Sequence, residues 1–188
     1  EGLDAIVITA SGCGTTIKDY GHMLRHDPAY ADKAATVSAL AKDITEYLAG
    51  LDIDAAVFAG ANHGNPRVAY HSACSMQHGQ KITRPPRDLL KQAGYEVAEI
   101  AEGHLCCGSA GVYNLLQPEI AGQLQERKRG NISATQPDLV ATGNIGCMVQ
   151  IETDDLKVLH TVQLLDWAAG GPVSEKLRDR IKPTELAG

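Results

Sequence analysis

Two adjacent cysteines, Cys106 and Cys107, lie in a segment rich in small residues. The segment runs from His104 to Gly111 and reads His-Leu-Cys-Cys-Gly-Ser-Ala-Gly. Two neighbouring thiols seldom both pack as ordinary core side chains, and a glycine-rich bend offers free backbone N–H groups that can hydrogen-bond anionic sulfur. We therefore interpret the pair as thiolates that point toward one metal cluster, which makes the other cysteines of the chain candidate ligands.

Cysteines also follow three segments whose composition is typical of buried strands. These segments and the cysteines that come after them are residues 67–71 with Cys74, residues 95–100 with Cys106 and Cys107, and residues 138–142 with Cys147. Parallel strands end at one edge of a sheet, and open α/β sheets bind their ligands at that edge, so we expect the four thiols to converge there. Four thiolates are the number that a [4Fe–4S] cluster takes.

The elements that would position these cysteines alternate between strand and helix. Apolar patterning predicts further strands over 4–9 and 156–160, a turn over 11–14, and helices over 15–24, 31–49, 85–93, 118–132 and 162–169. Such an alternation implies a parallel sheet with right-handed crossovers. The predicted fold class is therefore α/β, a parallel sheet with flanking helices and with cysteines at the carboxyl ends of strands.

Glycine, proline and a weak internal repeat suggest how the chain is divided. A Gly/Asn/Pro-rich stretch marks a linker over 51–66, and a polar tail covers 172–188. Asp4 and Asp138 each stand nine residues before a cysteine that follows a glycine. This repeat predicts one complete cysteine-rich domain over 67–171, with residues 1–50 holding the remnant of an earlier repeat and a connecting helix.

Composition excludes several classes of function. The chain has 188 residues, of which 44% are hydrophobic, a net charge of −6 and a pI of about 5.6. This acidic balance argues against a nucleic-acid partner, and the basic triplet 127–129 is interpreted as the solvated end of a helix. No apolar run approaches the length of a membrane span. Five cysteines without the density of a secreted scaffold favour a reduced, cytoplasmic setting.

Other interpretations of the cysteines stay open at this point. The thiols could be buried and inert, Cys13 above all, or the adjacent pair could form a redox-active disulfide. A zinc site is a further alternative, although the chain lacks the closely spaced Cys-x₂₋₄-Cys pairs that such sites use. His71, His78 and His104 each flank a cysteine. We regard His71 and His104 as candidates to donate a hydrogen bond to a cluster sulfur or to serve as unusual ligands.

The pattern of Cys74, 31 intervening residues, Cys106-Cys107-Gly108 and a late Cys147 resembles the cysteine-rich CCG domain. That domain occurs in the cysteine-rich subunit of heterodisulfide reductase, in anaerobic glycerol-3-phosphate dehydrogenase, in lactate-utilisation proteins and in the iron–sulfur subunits of glycolate oxidase. The resemblance to the last group extends over almost the whole chain. The segments that carry it are residues 9–14, 20–30, 77–80, 104–111, 116–119 and 144–147.

The resemblance implies a function in electron transfer. A family member of this kind would hold an iron–sulfur cluster, [4Fe–4S], on Cys74, Cys106, Cys107 and Cys147, and would have no catalytic residue for glycolate itself. It would relay electrons from FAD in a partner flavoprotein subunit toward the quinone pool, in the cytoplasm or peripherally at the inner face of the cell membrane. The chain would correspond to the C-terminal part of such a subunit.

One departure from the family motif bears on the cluster. The motif ends in Cys-x-x-Cys, but Asn144 stands three residues before Cys147, and Ala10 stands three residues before Cys13. The complete repeat therefore offers four cysteines rather than five, and Cys13 is expected to be a free thiol. Two alternative functions remain, a thiol/disulfide oxidoreductase of the heterodisulfide reductase type and a docking domain with zinc or no metal.

Overall fold

The computed structural model describes residues 2–60 and 64–178, and it contains two parallel sheets. A small sheet pairs β1 (Ile6–Ile8) with β2 (Ala41–Asp43). A larger sheet has the order β4-β3-β5-β6 and consists of β3 (Arg67–Tyr70), β4 (Glu96–Ala98), β5 (Leu139–Thr142) and β6 (Val158–His160). All of its neighbouring strands are parallel, which confirms the predicted α/β fold class.

Helices follow most strands. Those of the first part are α1 (Ser11–Lys18), α2 (Tyr20–Met23), α3 (Ala31–Leu40) and α4 (Ile44–Ala49), followed by a 3-10 turn at Ala55–Gly60. Those of the second part are α5 (Pro85–Gln92), α6 (Tyr113–Leu116), α7 (Pro118–Ser133), α8 (Ile145–Ile151), α9 (Thr161–Ala168) and α10 (Glu175–Arg178). A π-helical turn occupies Ser75–Gly79. The helices α6, α8 and α10 and the two turns have no counterpart in the sequence-based prediction.

The single helix predicted over 31–49 is wrong, because strand β2 interrupts it. Asp43 is the reason, since its carboxylate accepts a hydrogen bond from Thr45 N at 2.9 Å, and Glu46 in turn accepts one from Asp43 N at 3.3 Å. This capping box starts a new helix at Ile44. The residues before it are then free to pair with β1, and both Ala41 and Asp43 are buried.

The start of α1 also differs from the prediction. A turn was expected over 11–14, but the helix begins at Ser11 and ends at Lys18, and the short α2 follows after Asp19. Ser11 is completely buried, and its backbone N–H donates to Gly143 O at 3.0 Å. The helix therefore starts where the first unit meets the larger sheet. Within the predicted linker, residues 61–63 lie outside the described part of the chain, as do residues 179–188 of the predicted tail.

Two apolar layers cover the larger sheet, one on each face. Alternate residues of β3 belong to different layers, since Val68 and Tyr70 pack with the leucines of α5 and α9, whereas Ala69 packs on the other face. This second face includes Ile132 of α7 and Ile151 of α8. Two of the cysteines are part of this second layer, Cys107 and Cys147. The cysteine cluster is therefore anchored in the apolar core, because two of its members are core residues.

No helix within the described residues is both long enough and apolar enough to cross a membrane.

Candidate metal centre

A cavity of about 390 Å³ opens at the carboxyl edge of the larger sheet. All four cysteines of the predicted site line it, namely Cys74, Cys106, Cys107 and Cys147. They follow three different strands of that edge. Cys74 comes after β3 and just before the π-helical turn, the adjacent pair lies in the loop after β4, and Cys147 is the third residue of α8, after β5. The convergence expected from the strand pattern is thus what the structure contains.

The four sulfur atoms form one connected group. The Sγ atoms of Cys107 and Cys147 lie 3.3 Å apart. Cys106 interacts with the thiols of both Cys74 and Cys107, and Gly108 N donates a hydrogen bond to its Sγ at 3.4 Å. Cys107 and Cys147 are buried, and the other two are half-buried at the cavity wall. Because sulfur atoms this close cannot all carry a negative charge, the thiols must share their protons.

The pKa values of the thiols show how the charge is divided. Hydrogen bonds from Cys107 and then from Cys74 hold the pKa of Cys106 far below that of an ordinary thiol. A hydrogen bond from Cys107 likewise lowers the pKa of Cys147, to about 6, with burial opposing and His71 assisting. Cys74 and Cys107 have raised pKa values, chiefly because each thiol keeps its proton in a hydrogen bond to Cys106, and burial adds to the effect. Negative charge in the group is therefore favoured on Cys106 and Cys147 over Cys74 and Cys107.

Glycine allows the adjacent pair to approach helix α7. Gly108 has φ +92°, a left-handed conformation that glycine adopts without steric cost. A Cβ atom built on it would overlap the carbonyl oxygen of Ala121 and lie 3.2 Å from the carbonyl carbon. The glycine after the cysteine pair is thus required by backbone geometry and by close packing. Gly111 has φ +67°, but a Cβ atom there would meet nothing within 4 Å.

Asn144 has a structural role at the place where the family motif has a further cysteine. Its side-chain oxygen accepts a hydrogen bond from Cys147 N at 3.1 Å and so caps helix α8. Its amide nitrogen donates to Ser11 Oγ at 3.0 Å, and Ser11 Oγ lies 2.7 Å from Ser75 Oγ. Asn144 lines the cavity, as does Gly12 next to Ser11. The residue therefore holds Cys147 in place and joins α1 to the cavity wall.

The two histidine candidates, His71 and His104, lie in different environments. His71 is buried at 2% exposure, and its Nε2 atom has no hydrogen-bond partner among the described residues. Nδ1 or Nε2 of His71 and the sulfurs of Cys107 and Cys147 all lie within 4.8 Å of one another. His104 is exposed instead and is not among the residues that line the cavity. Its neighbour Glu102 has a pKa lowered to about 2, mainly by hydrogen bonds from Arg127 and Asn131.

Cys13 is exposed and is not among the residues that line the cavity. It is the third residue of α1, just as Cys147 is the third residue of α8. The two strand–helix units thus share their local geometry, in line with the weak sequence repeat. Only the unit of Cys147 has the other three cysteines beside it, so the structure does not bring Cys13 to the candidate site.

A lysine that the sequence interpretation placed in solvent is buried beside the thiols. The side chain of Lys128 is completely inaccessible, and its ammonium donates to Glu102 O at 2.9 Å, on the loop that leads to the cysteine pair. Burial lowers the pKa of Lys128, while the charges of Cys107, Glu102 and Cys106 oppose that shift. Interpreting the triplet 127–129 as solvated was therefore wrong for this residue. The sequence feature that could have predicted its burial is helical spacing. Lys128 lies seven residues after Ala121 and four before Ile132, so it shares one helix face with these two buried residues.

The donor set suits a thiophilic metal or an iron–sulfur cluster. Four sulfur atoms face one cavity, two of them with lowered pKa values, and a buried imidazole nitrogen beside them lacks a partner among the described residues. Buried polar atoms in native proteins almost always have a partner, so an unsatisfied imidazole nitrogen among thiols is suited to bind a metal. Soft thiolates select iron–sulfur clusters and zinc over hard cations. The residues present therefore fit such a group.

Comparison with known proteins agrees with this chemistry. Residues 68–152 match the family described as the cysteine-rich domain, CCG. The chain is 37% identical over 168 residues to the glycolate oxidase iron-sulfur subunit of Escherichia coli strain K12, covering 89% of this chain and 40% of that protein. It is 32% identical over 182 residues to the "Probable glycolate oxidase iron-sulfur subunit" of Bacillus subtilis strain 168, covering 92% and 40%.

A third relative is a subunit of a different kind of oxidoreductase. A fumarate reductase (CoM/CoB) subunit of Methanothermobacter marburgensis is 33% identical over 177 residues, which covers 89% of this chain and 33% of that protein. The chain thus spans about two fifths or less of the length of these three relatives. All three matches include the segment that holds the four thiols. Residues 68–152 therefore match the cysteine-rich CCG domain, and most of the chain's length is similar to glycolate oxidase iron–sulfur subunits.

Proposed function

We propose that this chain is the cluster-binding part of an iron–sulfur electron-transfer subunit of a flavin-dependent glycolate oxidase. The single observation that carries the proposal is that Cys74, Cys106, Cys107 and Cys147 line one cavity. The similarity to glycolate oxidase iron–sulfur subunits supports the choice of substrate and complex. In this proposal residues 67–171 form the cluster domain, and the chain alone has no glycolate turnover.

The four cysteines would hold a [4Fe–4S] cluster. Such a cluster, when bound, supplies one-electron transfer at a potential that depends on its net charge, on hydrogen bonds to sulfur and on solvent exposure. The chain has a residue for each of the first two effects. Gly108 N donates to Cys106 Sγ, and the ammonium of Lys128 lies against the loop that leads to the same cysteine. FAD would belong to a partner flavoprotein subunit, and electrons would pass on to quinone at the inner face of the membrane.

Anaerobic reconstitution of the chain with iron and sulfide tests the proposal. We expect about four irons per chain, a brown colour, and an EPR signal on reduction. Substitution of Ser for any one of Cys106, Cys107 or Cys147 should reduce the iron content and the signal. Cys13→Ser is the matched control, because Cys13 is exposed and does not line the cavity. An iron-free chain after reconstitution, or equal loss in the Cys13 variant, would contradict the assignment.

The sulfur geometry also favours a second candidate function, thiol/disulfide chemistry. Cys107 and Cys147 are the pair in contact, with Sγ atoms 3.3 Å apart, so the pair favoured by the structure is not the adjacent one. Two thiols that form a disulfide give up two electrons and two protons to an acceptor such as a small disulfide. Reduction of an added small disulfide by the metal-free chain, lost in Cys147→Ser, would support this function. Zinc in the purified chain would support a docking domain instead.

A further inference from the structure

The environment of His71 is unusual for a histidine at the end of a strand. Its backbone N–H donates to Ala141 O at 2.8 Å, which extends the pairing of β3 with β5 and fixes the start of the side chain. The imidazole is 2% exposed, so water has almost no access to it. Its Nε2 atom has no hydrogen-bond partner among the described residues. A buried nitrogen without a partner is rare in native proteins and costs stability.

The sulfur atoms around this imidazole are arranged so that one ion could contact all three side chains. The Sγ atoms of Cys107 and Cys147 are 3.3 Å apart, and the three candidate donor atoms lie within 4.8 Å of one another. In a tetrahedral site with metal–sulfur bonds of about 2.3 Å, neighbouring sulfurs lie about 3.8 Å apart and a nitrogen somewhat closer to each of them. Ligation distances would therefore be reached if the two sulfurs moved apart by about 0.5 Å and the nitrogen approached them by at most about 1 Å, which side-chain rotation can supply.

We propose that His71 is a metal ligand that acts together with Cys107 and Cys147. The candidate site then has mixed nitrogen and sulfur donors, and one of the metal positions at the cavity carries an imidazole. When the metal is iron of a [4Fe–4S] cluster, each iron takes one protein ligand, so His71 would take the place of one of these two thiolates; in that form the inference rests on the proposed function and deepens it. Replacement of thiolate by neutral imidazole makes the iron site less negative, and histidine ligation of iron–sulfur centres is associated with higher reduction potentials.

The competing role of the imidazole is a hydrogen bond to the thiolate of Cys147, because hydrogen bonding and charge from His71 both lower the pKa of Cys147, although Nε2 lies outside ordinary hydrogen-bond geometry to any described residue. Burial of the imidazole on the same core face as both sulfurs suits either role. Ligation requires direct bonding between nitrogen and metal, whereas the hydrogen bond leaves the metal with sulfur donors only. Spectroscopy of the bound metal therefore separates the two.

The first experiment uses Co²⁺ alone as the probe and does not depend on cluster assembly. Titration of the reduced, metal-free 188-residue chain should give thiolate-to-cobalt charge-transfer bands and tetrahedral d–d bands. His71→Gln should weaken binding at least ~10- to 100-fold, the loss typical even of residues that only support a ligand. The matched control is His78→Gln, since His78 also lies near Cys74 in the sequence but is exposed. Circular dichroism of the metal-free variants checks that each is folded.

The second experiment detects the nitrogen directly. Pulsed EPR of the Co²⁺ form and of the reduced iron–sulfur form should show a strongly coupled nitrogen that changes when histidine is ¹⁵N-labelled. The coupling should persist in His78→Gln and disappear in His71→Gln. Sulfur-only coordination in the wild-type chain overturns the inference, even if the variant fails to fold. Failure of the proposed function has a different signature, a chain that assembles no iron–sulfur cluster yet binds Co²⁺ through nitrogen and sulfur.

Discussion

Substitution of Gly108 by alanine tests whether the glycine after the cysteine pair is required by packing. Two effects add up at this position. A left-handed backbone costs a non-glycine residue about 1–2 kcal/mol. In addition, the new Cβ atom would overlap the carbonyl oxygen of Ala121, a backbone atom of helix α7 that cannot rotate away. Overpacking of this kind typically costs about 1–3 kcal/mol. The expected loss of unfolding free energy for Gly108→Ala is therefore about 2–5 kcal/mol.

The chain provides a matched control three residues later. Gly111 also has a positive φ, +67°, but an added Cβ atom would meet nothing within 4 Å. Gly111→Ala should therefore lose only the conformational part, about 1–2 kcal/mol. The difference between the two variants isolates the contact between the cysteine loop and α7, and we expect it to be about 1–3 kcal/mol.

Urea unfolding of the reduced, metal-free chain, followed by circular dichroism, measures this difference. With a slope of about 1–3 kcal/mol per molar urea, the midpoint for Gly108→Ala should lie roughly 1 M below that for Gly111→Ala. Equal midpoints for the two variants would refute the argument, because the close approach to Ala121 would then contribute nothing. A change of slope without a shift of free energy would point to the unfolded state instead.

Three further predictions concern the charged and buried polar groups. Lys128→Met should shift the midpoint potential of the reconstituted cluster to a more negative value in an EPR redox titration, because a buried positive charge beside the thiolates is lost. The control Lys91→Met, at an exposed position, should leave the midpoint potential unchanged. Since the pKa of Cys147 is lowered to about 6 and that of Cys106 still further, the unfolded chain binds more protons than the folded one from pH 6 to about pH 8.5, and the free energy of unfolding of the metal-free chain should rise across that window. Below pH 6 the slope should be smaller, because only Cys106 still contributes, and Cys147→Ser should reduce the slope above pH 6; an unchanged slope in that variant would contradict the argument. Tyr95→Phe removes a buried hydrogen bond of 2.8 Å to a backbone carbonyl of α9 and should lower the unfolding free energy by about 1–3 kcal/mol, measured by urea titration. An unchanged unfolding free energy would show that water replaces the lost hydroxyl.

The fold class and the convergence of the thiols could be predicted from local patterns. Apolar segments followed by cysteines identify the strands and their carboxyl ends, and parallel order then follows from the alternation with helices. The helix predicted over 31–49 shows where this reasoning fails. Its apolar spacing is helical throughout, yet Ala41 to Asp43 pair with β1, because sheet hydrogen bonds and a capping box outweigh a weak helical preference.

The histidines and Lys128 show the same limit at the site. His71 and His104 have equal standing in the sequence, since each stands two or three residues before a cysteine. The tertiary structure buries His71 in the core and leaves His104 exposed to solvent. Lys128 is similar, since its buried place depends on the loop of Glu102 covering it and accepting its hydrogen bond.

The sequence by itself determined the chemistry of the site: four thiols, their order along the chain, the strands that precede them and the match of residues 68–152 to the cysteine-rich CCG domain. These follow from residue type and short-range pattern. What only the tertiary structure decided is which sulfurs share protons, that Asn144 joins α8 to α1, and that a buried imidazole and a buried ammonium flank the group. Such facts depend on contacts between residues far apart in the chain, which are set by the packing of β3, β5, α7 and α8 and by no local preference.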